Sequence, residues 1–340
     1  MATHLQTIVT VNATMTPITV KSENADAALP KVVFAIFASL SVFGNTLVCW
    51  VFLKNSQLLR LGSTIFIFSL AIVDILTGIL ILGTPTYNGI QIHMEGTSAA
   101  LYCSLVHSEY FIWTFGIASC YIIAALSVER LCMVSAAVKY KRIFTPNKTI
   151  IYIILINIWA AILNAPNLYQ YYYNSNATNL EEQCGFRALS DVEAVNSAIY
   201  FTSFVIRFAL PLVVMIFCYT AFMRKIRTTI TGVSNATDIH TNKRNRLMLR
   251  RLTRMSVVIS IAFCICWLPN QIYFALIAQH LITYDITIHM FTKTLVSMNS
   301  AINPVIYAAT NVYFYNELAA LIKYIFCCKR PQRQKLFVSV

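Results

Sequence analysis

Charged residues are scarce in this chain: 11% of its 340 residues are Asp, Glu, Lys or Arg, whereas 58% are hydrophobic. A soluble globular domain carries about a quarter charged residues, so the composition excludes that class. The apolar residues form long runs without alternation, which excludes a membrane β-barrel, whose strands alternate apolar and polar residues. The sequence therefore predicts an all-α integral membrane protein.

The chain also lacks the short motifs of common hydrolases. It contains neither HExxH nor GxSxG, and no serine–histidine pair lies at membrane depth, so we expect no catalytic residue and no cofactor. No internal repeat is visible, which argues against the paired halves of most secondary transporters. An ion-conducting or transport protein nevertheless stays open as an alternative, because a cation path could use the buried polar residues described below.

Seven apolar runs are about 20 residues long or longer, which is the length that crosses a bilayer. They cover residues 32–53, 64–82, 101–134, 149–168, 198–223, 255–277 and 286–309. The third run is too long to stand upright, so it should tilt or protrude. The runs predict a seven-transmembrane helix bundle over residues 31–310, preceded by an N-terminal segment of residues 1–30.

The distribution of basic residues predicts the orientation of the bundle. Of the 26 lysines and arginines, 21 fall in alternate loops and in the C-terminal segment, which the positive-inside rule places in the cytoplasm. We therefore expect a multi-pass plasma-membrane protein with its N-terminus outside. The sequons at Asn12 and Asn176 are then accessible to glycosylation, whereas those at Asn147 and Asn235 lie inside. Because the basic residues are divided among loops, we expect no nucleic-acid partner.

Four of the ten cysteines lie at informative places. Cys103 and Cys184 both fall on the predicted outside, an oxidising compartment, which favours a disulfide between them. Apolar residues recur on one face of segment 311–328, which predicts a short amphipathic helix on the inner leaflet, in contact with membrane lipid. Cys327 and Cys328 at its end are candidates for palmitoylation, with free thiols as the alternative. Residues 329–340 would form a cytoplasmic tail.

Polar residues interrupt the apolar runs at membrane depth. Asp74 is an acid with no basic residue in its own run, so it should become neutral or find a cation. Five polar residues of neighbouring runs could join it: Asn45, Ser119, Asn299, Ser300 and Asn303. Together they could form a hydrated network that holds a monovalent cation, or a polar cluster that only joins helices. The residue types support both alternatives equally.

Seven short motifs follow one another, one in each run: GNTLV, LAIVD, SVER, Trp159, Pro211 with Tyr219, CWLP and NPVIY. In this order they resemble the rhodopsin-like (class A) G-protein-coupled receptors over about residues 35–328. The resemblance implies a seven-helix receptor with an amphipathic eighth helix. It further implies an extracellular ligand, a heterotrimeric G protein and an arrestin as partners.

The resemblance also assigns roles to individual residues. Glu129 and Arg130 match the family's acid–arginine pair at the cytoplasmic end of the third helix, in which the carboxylate holds the guanidinium until a G protein binds. An interfacial arginine that reaches lipid headgroups is the alternative. The other expected switch residues are Tyr219, Trp267, Pro269, Asn303, Pro304 and Tyr307. The family's allosteric sodium site is matched by Asn45, Asp74, Ser119, Asn299 and Asn303.

Two departures from the family pattern concern the third and sixth helices. Leu249 stands where many relatives carry an acid that locks the arginine, so this interhelical lock is expected to be missing. More residues separate Cys103 from Arg130 than is usual in the family. We therefore expect the third helix to be bulged or to start higher than usual.

The resemblance places the ligand pocket in the outer halves of the helices. Ser297 occupies the position of the retinal-binding lysine of visual pigments, and Ile112 occupies that of the aspartate of amine receptors. Neither retinal nor a monoamine is therefore expected. The expected pocket residues are Glu109, Ile112, Arg207, Asn270, Gln271, Tyr273, His289 and Lys293.

Two of these pocket residues are basic and suggest the charge of the ligand. Arg207 and Lys293 facing one cavity would suit a carboxylate, a peptide end or an acidic lipid. The alternatives are that Arg207 pairs with a protein group such as Glu109, or that either side chain extends to the interface. Because several segments resemble the peptide-receptor branch, we expect a peptide ligand, with an acidic lipid or a small carboxylate as the alternative.

Overall fold

The computed structural model describes residues 23–84, 95–176, 183–231, 239–310 and 312–327, and side chains for residues 29–84, 95–136, 138–176, 183–225, 254–310 and 314–321. The main helices are α1 (Glu23–Lys54), α2 (Gly62–Gly83), α3 (Tyr110–Ser135), α4 (Pro146–Asn164), α5 (Glu193–Phe204, continued by Leu210–Thr231), α6 (Ile239–Ala278), α7 (Ile286–Thr310) and α8 (Val312–Cys327). The predicted all-α membrane bundle is confirmed.

Six helical stretches of the described chain are long and apolar enough to cross a membrane. Each includes all or most of the apolar part of one helix from α1 to α6. α7 is not among them because its interior holds Asn299, Ser300, Asn303 and Lys293. α7 nevertheless packs along both α1 and α6 and closes the bundle. Its polar residues are tolerated because they face the interior of the protein rather than lipid.

The third apolar run does not form one continuous helix. A short helix, Gly96–Leu101, leads into a π turn, Tyr102–His107, and Glu109 then adopts a left-handed conformation with φ 54° before α3 begins. The π turn widens the helix by one residue, and the left-handed residue interrupts it. The expected bulge is therefore present, and the surplus of residues before Arg130 is absorbed at this break.

The chain between α4 and α5 folds over the end of the bundle that contains the π turn Tyr102–His107. Strand β1 (Tyr171–Tyr173) pairs antiparallel with β2 (Cys184–Phe186). A disulfide joins Cys184 to Cys103 in the π turn, with a Cα–Cα distance of 5.3 Å, as predicted. This crosslink holds the hairpin against the third helix; we refer to this side as the disulfide end.

The outward-facing surface of the bundle is apolar and its interior is partly polar. Phe43, Val213 and Ile265 are 67%, 62% and 62% exposed, whereas Asp74 and Asn45 are 1% and 0% exposed. Soluble proteins show the opposite arrangement. The exposed apolar side chains therefore form the surface that a bilayer covers.

α8 continues from α7 and returns to the first helix. Phe314 of α8 is buried against Tyr307 and Phe52, and Lys54 of α1 pairs with Glu317 at 2.8 Å. These contacts attach the predicted amphipathic eighth helix to the bundle. The side chain of Cys327, together with Cys328 and Asn12, lies outside the described residues.

Candidate functional site

The site begins at the proline of α7. Pro304 has no backbone N–H, so the carbonyl of Ser300, four residues earlier, lacks its helical donor. Asn45 of α1 supplies that donor, with 2.9 Å from its Nδ2 to the Ser300 oxygen. A Cβ added at Gly44 would come within 2.8 Å of Pro304, so glycine allows α1 to approach this closely. Gly44 and Asn45 of the GNTLV motif thus compensate for the helical hydrogen bond that Pro304 of the NPVIY motif removes from α7.

The carboxylate of Asp74 lies beside this junction. Asn303 Nδ2 donates to Asp74 Oδ2 at 2.7 Å, and Ser41 Oγ donates to the Asp74 backbone oxygen at 2.9 Å. Asn45 also donates to the Ser41 carbonyl at 2.9 Å. The structure therefore brings together acid and amide side chains of α1, α2 and α7. Its described residues hold no group of three or more His, Cys, Asp or Glu side chains suited to a transition metal.

A small central cavity continues from this cluster towards the disulfide end. Its volume is about 20 Å³, and Ser119, Asn299 and Ser300 line one part of it, whereas Glu109 and Lys293 line another. A cavity of about 10–15 Å³ holds one water molecule. One cavity is therefore lined by part of the predicted ligand pocket (Glu109, Ile112 and Lys293) and by part of the predicted sodium site (Ser119 and Asn299).

A buried ion pair closes the cavity towards the disulfide end. Lys293 Nζ of α7 lies 2.6 Å from Glu109 Oε1, and both side chains are buried. The left-handed turn at Glu109 brings this carboxylate to the seventh helix. Ile112 lines the same cavity one turn further along α3. The charge of Lys293 is thus compensated within the protein.

Two aromatic side chains, Trp113 of α3 and Trp267 of α6, form part of the cavity wall, and further aromatic rings stack behind Trp267. Trp267 stacks on Phe263 with 5.4 Å between ring centroids and meets Trp113 edge-on at 6.1 Å. Phe263 stacks in turn on Phe208 at 6.3 Å. A Cβ at Gly116 would overlap the ring of Trp267, so the absence of a side chain there makes room for the indole.

Other predicted pocket residues join α6 to α7 nearer the disulfide end. Asn270 donates to Thr292 at 3.2 Å and accepts from Gln271 at 3.4 Å. The hydroxyl of Tyr273 donates to the Asp285 carbonyl at 2.8 Å. His289 lies in ring contact with Phe274 and Tyr284. These residues form a rim above the ion pair rather than part of the cavity wall.

Arg207 lies apart from the other predicted pocket residues. It belongs to the π turn Val205–Ala209 within α5, and its Nη2 donates to the carbonyl of Leu163 in α4. It lines a second cavity of about 500 Å³ between these two helices. Arg207 and Lys293 therefore do not share a pocket, and Glu109 pairs with Lys293 instead of Arg207.

The opposite end of the bundle contains the acid–arginine pair. Glu129 and Arg130 are 0% and 1% exposed, with 3.7 Å between Arg130 Nε and Glu129 Oε2. Glu129 Oε1 accepts hydrogen bonds from Ser63 at 2.7 Å and from Tyr140 at 2.8 Å. Burial, with the charge of Glu129, raises the pKa of Tyr140, so its hydroxyl stays a donor at neutral pH. Arg130 Nε also lies 3.4 Å from Ser256 Oγ in α6.

The two predicted switch tyrosines have separate surroundings. Tyr219 accepts a hydrogen bond from Ser260 of α6 at 3.2 Å. The hydroxyl of Tyr307 is buried without a hydrogen-bond partner among the described residues. Pro269 lies inside α6 and Pro304 inside α7, as their motifs predict.

The family described as 7 transmembrane receptor (rhodopsin family) has a sequence model that matches residues 44–307. The chain belongs to this family. The matched region begins at the glycine of GNTLV and ends at the tyrosine of NPVIY, so it contains the polar core, the ion pair and the acid–arginine pair. As a family of receptors, it also accounts for the missing catalytic motifs.

Several curated receptors are similar to this receptor along most of its length. The human histamine H2 receptor is 26% identical, with 89% of this chain and 80% of that protein covered. The zebrafish (Danio rerio) galanin receptor 2b is 25% identical, with 86% and 74% covered. A Gq-coupled rhodopsin of the scallop Mizuhopecten yessoensis is 24% identical; 90% of this chain matches 62% of that protein.

Sequence reasoning missed several residues of the receptor's site. Ser63, Tyr140 and Ser256 surround the acid–arginine pair. They are ordinary residue types outside the recognised motifs and carry no periodic signal. Ser41 was missed because a serine in an apolar run commonly bonds its own helix. The role of Gly116 depends on a tryptophan 151 positions later in the sequence. Short-range patterns do not contain such contacts.

Proposed function

We propose that this receptor binds an extracellular ligand at its disulfide end and activates a heterotrimeric G protein at the Arg130 end. The observation that supports this is the junction of Asn45, Ser300 and Pro304. A helix whose hydrogen bonding is interrupted by proline and completed by a side chain of another helix can adopt two discrete arrangements. The central cavity connects this junction to the Glu109–Lys293 ion pair. A ligand that displaces the ion pair can therefore shift the equilibrium between the two arrangements of the junction.

The acid–arginine pair supports coupling at the opposite end. Arg130 Nη1 and Nη2 are buried without hydrogen-bond partners among the described residues, so its guanidinium is only partly satisfied. An opening between α3 and α6 would separate Arg130 from Ser256 and give the guanidinium new acceptors. Tyr219, Trp267, Pro269 and Tyr307 are the residues we assign to this rearrangement, with an arrestin as a second partner of the open form.

The orientation follows from the basic residues and is part of the proposal. Segment 1–30 would lie outside and tail 329–340 inside, with residues 31–310 forming the membrane domain and 311–328 lying on the inner leaflet. Asn176 is exposed in the turn after β1, as a glycosylated asparagine would be. The same orientation would allow palmitoylation of Cys327 and Cys328 and glycosylation of Asn12. The side chains of these three residues are not among those described.

We propose a peptide as the ligand. Galanin receptors are among the similar proteins, and aromatic residues of the rim and of β1 offer a broad surface above the ion pair. Burial raises the pKa of Tyr171 in β1 to about 12, so its hydroxyl remains a donor there. A small carboxylate in the central cavity has less support, because Glu109 already neutralises Lys293. The transport alternative also has less support, since the central cavity has room for only about one water molecule.

A sodium ion at Asp74 is the second element of the proposal. Asp74, Asn45, Ser119, Asn299 and Asn303 are buried and provide carboxylate, amide and hydroxyl oxygens, the donors that hard cations prefer. Sodium chloride should raise the melting temperature of the purified receptor more than choline chloride at equal ionic strength. Asp74→Asn should remove the difference, whereas Asp191→Asn, at an exposed acid, should preserve it. Equal melting temperatures in both salts for the unmodified receptor would refute the site.

Nucleotide exchange tests the coupling directly. Membranes that contain the receptor should accelerate GTPγS binding to at least one heterotrimeric G protein of a representative panel. Arg130→Gln should abolish the acceleration, whereas Arg142→Gln, which removes an exposed charge on the same side, should retain it. Absence of exchange with every G protein, at confirmed surface expression and with a peptide library present, would contradict the proposal.

A ligand screen tests the ligand class. Extracellular peptides and acidic small molecules would be compared on cells that express the receptor, Lys293→Ala or Arg207→Ala. A peptide agonist that acts by displacing the Glu109–Lys293 pair should lose potency about tenfold or more in Lys293→Ala when the variants are compared at equal surface expression. Its potency should be unchanged in Arg207→Ala. Activation by acidic small molecules alone would replace the peptide with the alternative ligand.

A further inference from the structure

A lateral cavity lies between α4 and α5 near the disulfide end, separate from the central cavity. We define it by Leu163 of α4 and by Ala198, Ile199, Thr202 and Arg207 of α5, and its volume is about 500 Å³. No residue lines both cavities. Ala198 and Thr202 are exposed on the outer surface of the bundle, so the cavity opens towards the space that lipid occupies.

The charge in this cavity is not compensated by the described part of the chain. Arg207 Nη2 donates to the backbone carbonyl of Leu163, whereas its Nε is buried and has no hydrogen-bond partner there. No carboxylate of the described residues forms an ion pair with Arg207, and Glu109 is engaged by Lys293. An arginine at membrane depth is stable only with an anion or several acceptors, and a single neutral carbonyl is a weak substitute.

The backbone holds Arg207 in this position. Pro211 cannot donate to the carbonyl four residues earlier, and the chain responds with the π turn Val205–Ala209. Tyr121 of α3 donates to the carbonyl of Ile206 at 2.7 Å and fixes the turn. The guanidinium is directed towards α4 rather than along α5 to the headgroups. The contacts of Arg207 therefore do not fit a side chain that merely extends to the membrane interface.

The walls of the lateral cavity indicate the shape of an anion that would fit. Most of the lining is aliphatic, from Leu163, Val195, Ala198 and Ile199, with hydroxyls only at Thr202 and Ser203. The volume lies within the range of pockets that enclose one ligand of drug size. A phospholipid with two chains is larger, and its phosphate belongs at the interface rather than beside a guanidinium enclosed by two helices.

We propose that the lateral cavity binds a single-chain carboxylate amphiphile, such as a fatty acid. The carboxylate pairs with the guanidinium of Arg207, and the chain lies against the aliphatic side chains of α4 and α5. A planar guanidinium matches a carboxylate through two parallel hydrogen bonds, and the free Nε–H is one of the donors required. This site is additional to the extracellular ligand site and to the sodium site.

Binding of tritium-labelled oleate tests the proposal without any signalling readout. The purified receptor would be placed in nanodiscs of phosphatidylcholine, which has no net charge. We expect saturable binding that excess unlabelled oleate displaces and that oleyl alcohol, which lacks the carboxylate, does not. Arg207→Gln should weaken binding about tenfold or more, as expected for loss of a charged hydrogen-bonded partner.

A second variant and two matched controls keep the result interpretable if Arg207→Gln folds poorly. Ala198→Trp fills the lateral cavity and should abolish binding while Arg207 is retained. Val213→Trp places the same ring on a lipid-facing position of α5 outside the cavity, and Arg187→Gln removes the same charge from the chain between α4 and α5; both should bind oleate within about twofold of the unmodified receptor.

Three outcomes would overturn the proposal. The first is an absence of saturable oleate binding to the unmodified receptor. The second is binding that persists in both Arg207→Gln and Ala198→Trp. The third is displacement of labelled oleate by phosphatidic acid in the nanodisc at a lower concentration than by unlabelled oleate, which would assign the cavity to a bilayer phospholipid. The signalling proposal would stand in each case, because none of these measurements involves a G protein.

Discussion

Two buried ion pairs in the described part of this receptor are built differently. Glu109 and Lys293 come from distant parts of the chain, approach to 2.6 Å and join the third helical region to α7. Glu129 and Arg130 are sequence neighbours separated by 3.7 Å, and the carboxylate divides its bonding between Ser63 and Tyr140. The first pair therefore links two helical regions, and loss of either partner would leave the other charge buried and uncompensated. The second holds an incompletely satisfied arginine that can be released.

Removal of one partner of the tight pair should have the largest effect. Lys293→Ala leaves Glu109 buried without its cation, and breaking a buried pair in this way costs about 3–5 kcal/mol of stability. We expect a large decrease in the melting temperature of the purified receptor. The double variant Glu109→Gln with Lys293→Met should recover much of the loss, because no uncompensated charge remains. A melting temperature for Lys293→Ala equal to that of the unmodified receptor would remove the distinction between the two pairs.

Changes at the Glu129–Arg130 pair should alter activity more than stability. Tyr140→Phe removes one hydrogen bond to the Glu129 carboxylate, an interaction of about 1.5–3 kcal/mol for a charged acceptor. Because Glu129 then holds Arg130 less firmly, ligand-independent GTPγS exchange should rise several-fold. Tyr152→Phe is the matched control, since its hydroxyl bonds an exposed backbone carbonyl, that of Ile143, at 3.2 Å. A decrease of basal exchange in Tyr140→Phe would show that the tyrosine supports the active form.

The contact between α3 and α6 should contribute less. Ser256→Ala removes the hydroxyl that lies 3.4 Å from Arg130 Nε, a long hydrogen bond of about 0.5–1.5 kcal/mol. We expect basal exchange to increase about twofold, less than for Tyr140→Phe. Ser260→Ala, one turn further along α6 and bonded to Tyr219, serves as the comparison for loss of a hydroxyl on the same face. Equal effects of both changes would mean that Arg130 is not the group responsible.

Removal of an exposed ion pair should have the smallest effect on the melting temperature. Lys54 and Glu317 also approach to 2.8 Å, but their side chains are 46% and 24% exposed. Exposed pairs contribute about 0–1 kcal/mol because water solvates both ions. Lys54→Ala should therefore lower the melting temperature little, despite a distance close to that of Glu109 and Lys293. A loss as large as that of Lys293→Ala would show that the attachment of α8, rather than burial of charge, governs stability.

The bundle and part of its site were predictable from the sequence. Long apolar runs predicted the helices, and the positions of Cys103 and Cys184 predicted the disulfide. The surplus of residues before Arg130 predicted an irregular third helix but not its form, a π turn followed by a left-handed Glu109. The polar residues around Asp74 were recognised as a group, yet only the structure assigned Asn45 to the carbonyl that Pro304 leaves without a donor.

The ligand pocket was predicted less completely, because the position of a residue along a helix does not determine the direction in which its side chain points. The resemblance placed both Arg207 and Lys293 in the expected ligand pocket, and this placement suggested one basic pocket. A π turn before Pro211 rotates Arg207 towards α4, whereas the break at Glu109 brings an acid to Lys293. Each change of one residue in a helix turns the following side chains by about a quarter of a turn, so small backbone irregularities reassign partners.

The sequence by itself determined that this protein crosses a membrane with a partly polar interior, because hydropathy and charge are sums over neighbouring residues. The tertiary structure decided which acid meets which base, which helix satisfies the broken hydrogen bond of α7 and which cavity contains Arg207. Those contacts depend on the rotation of each helix about its axis, and that rotation is set by packing against the other helices rather than by any local stretch of chain.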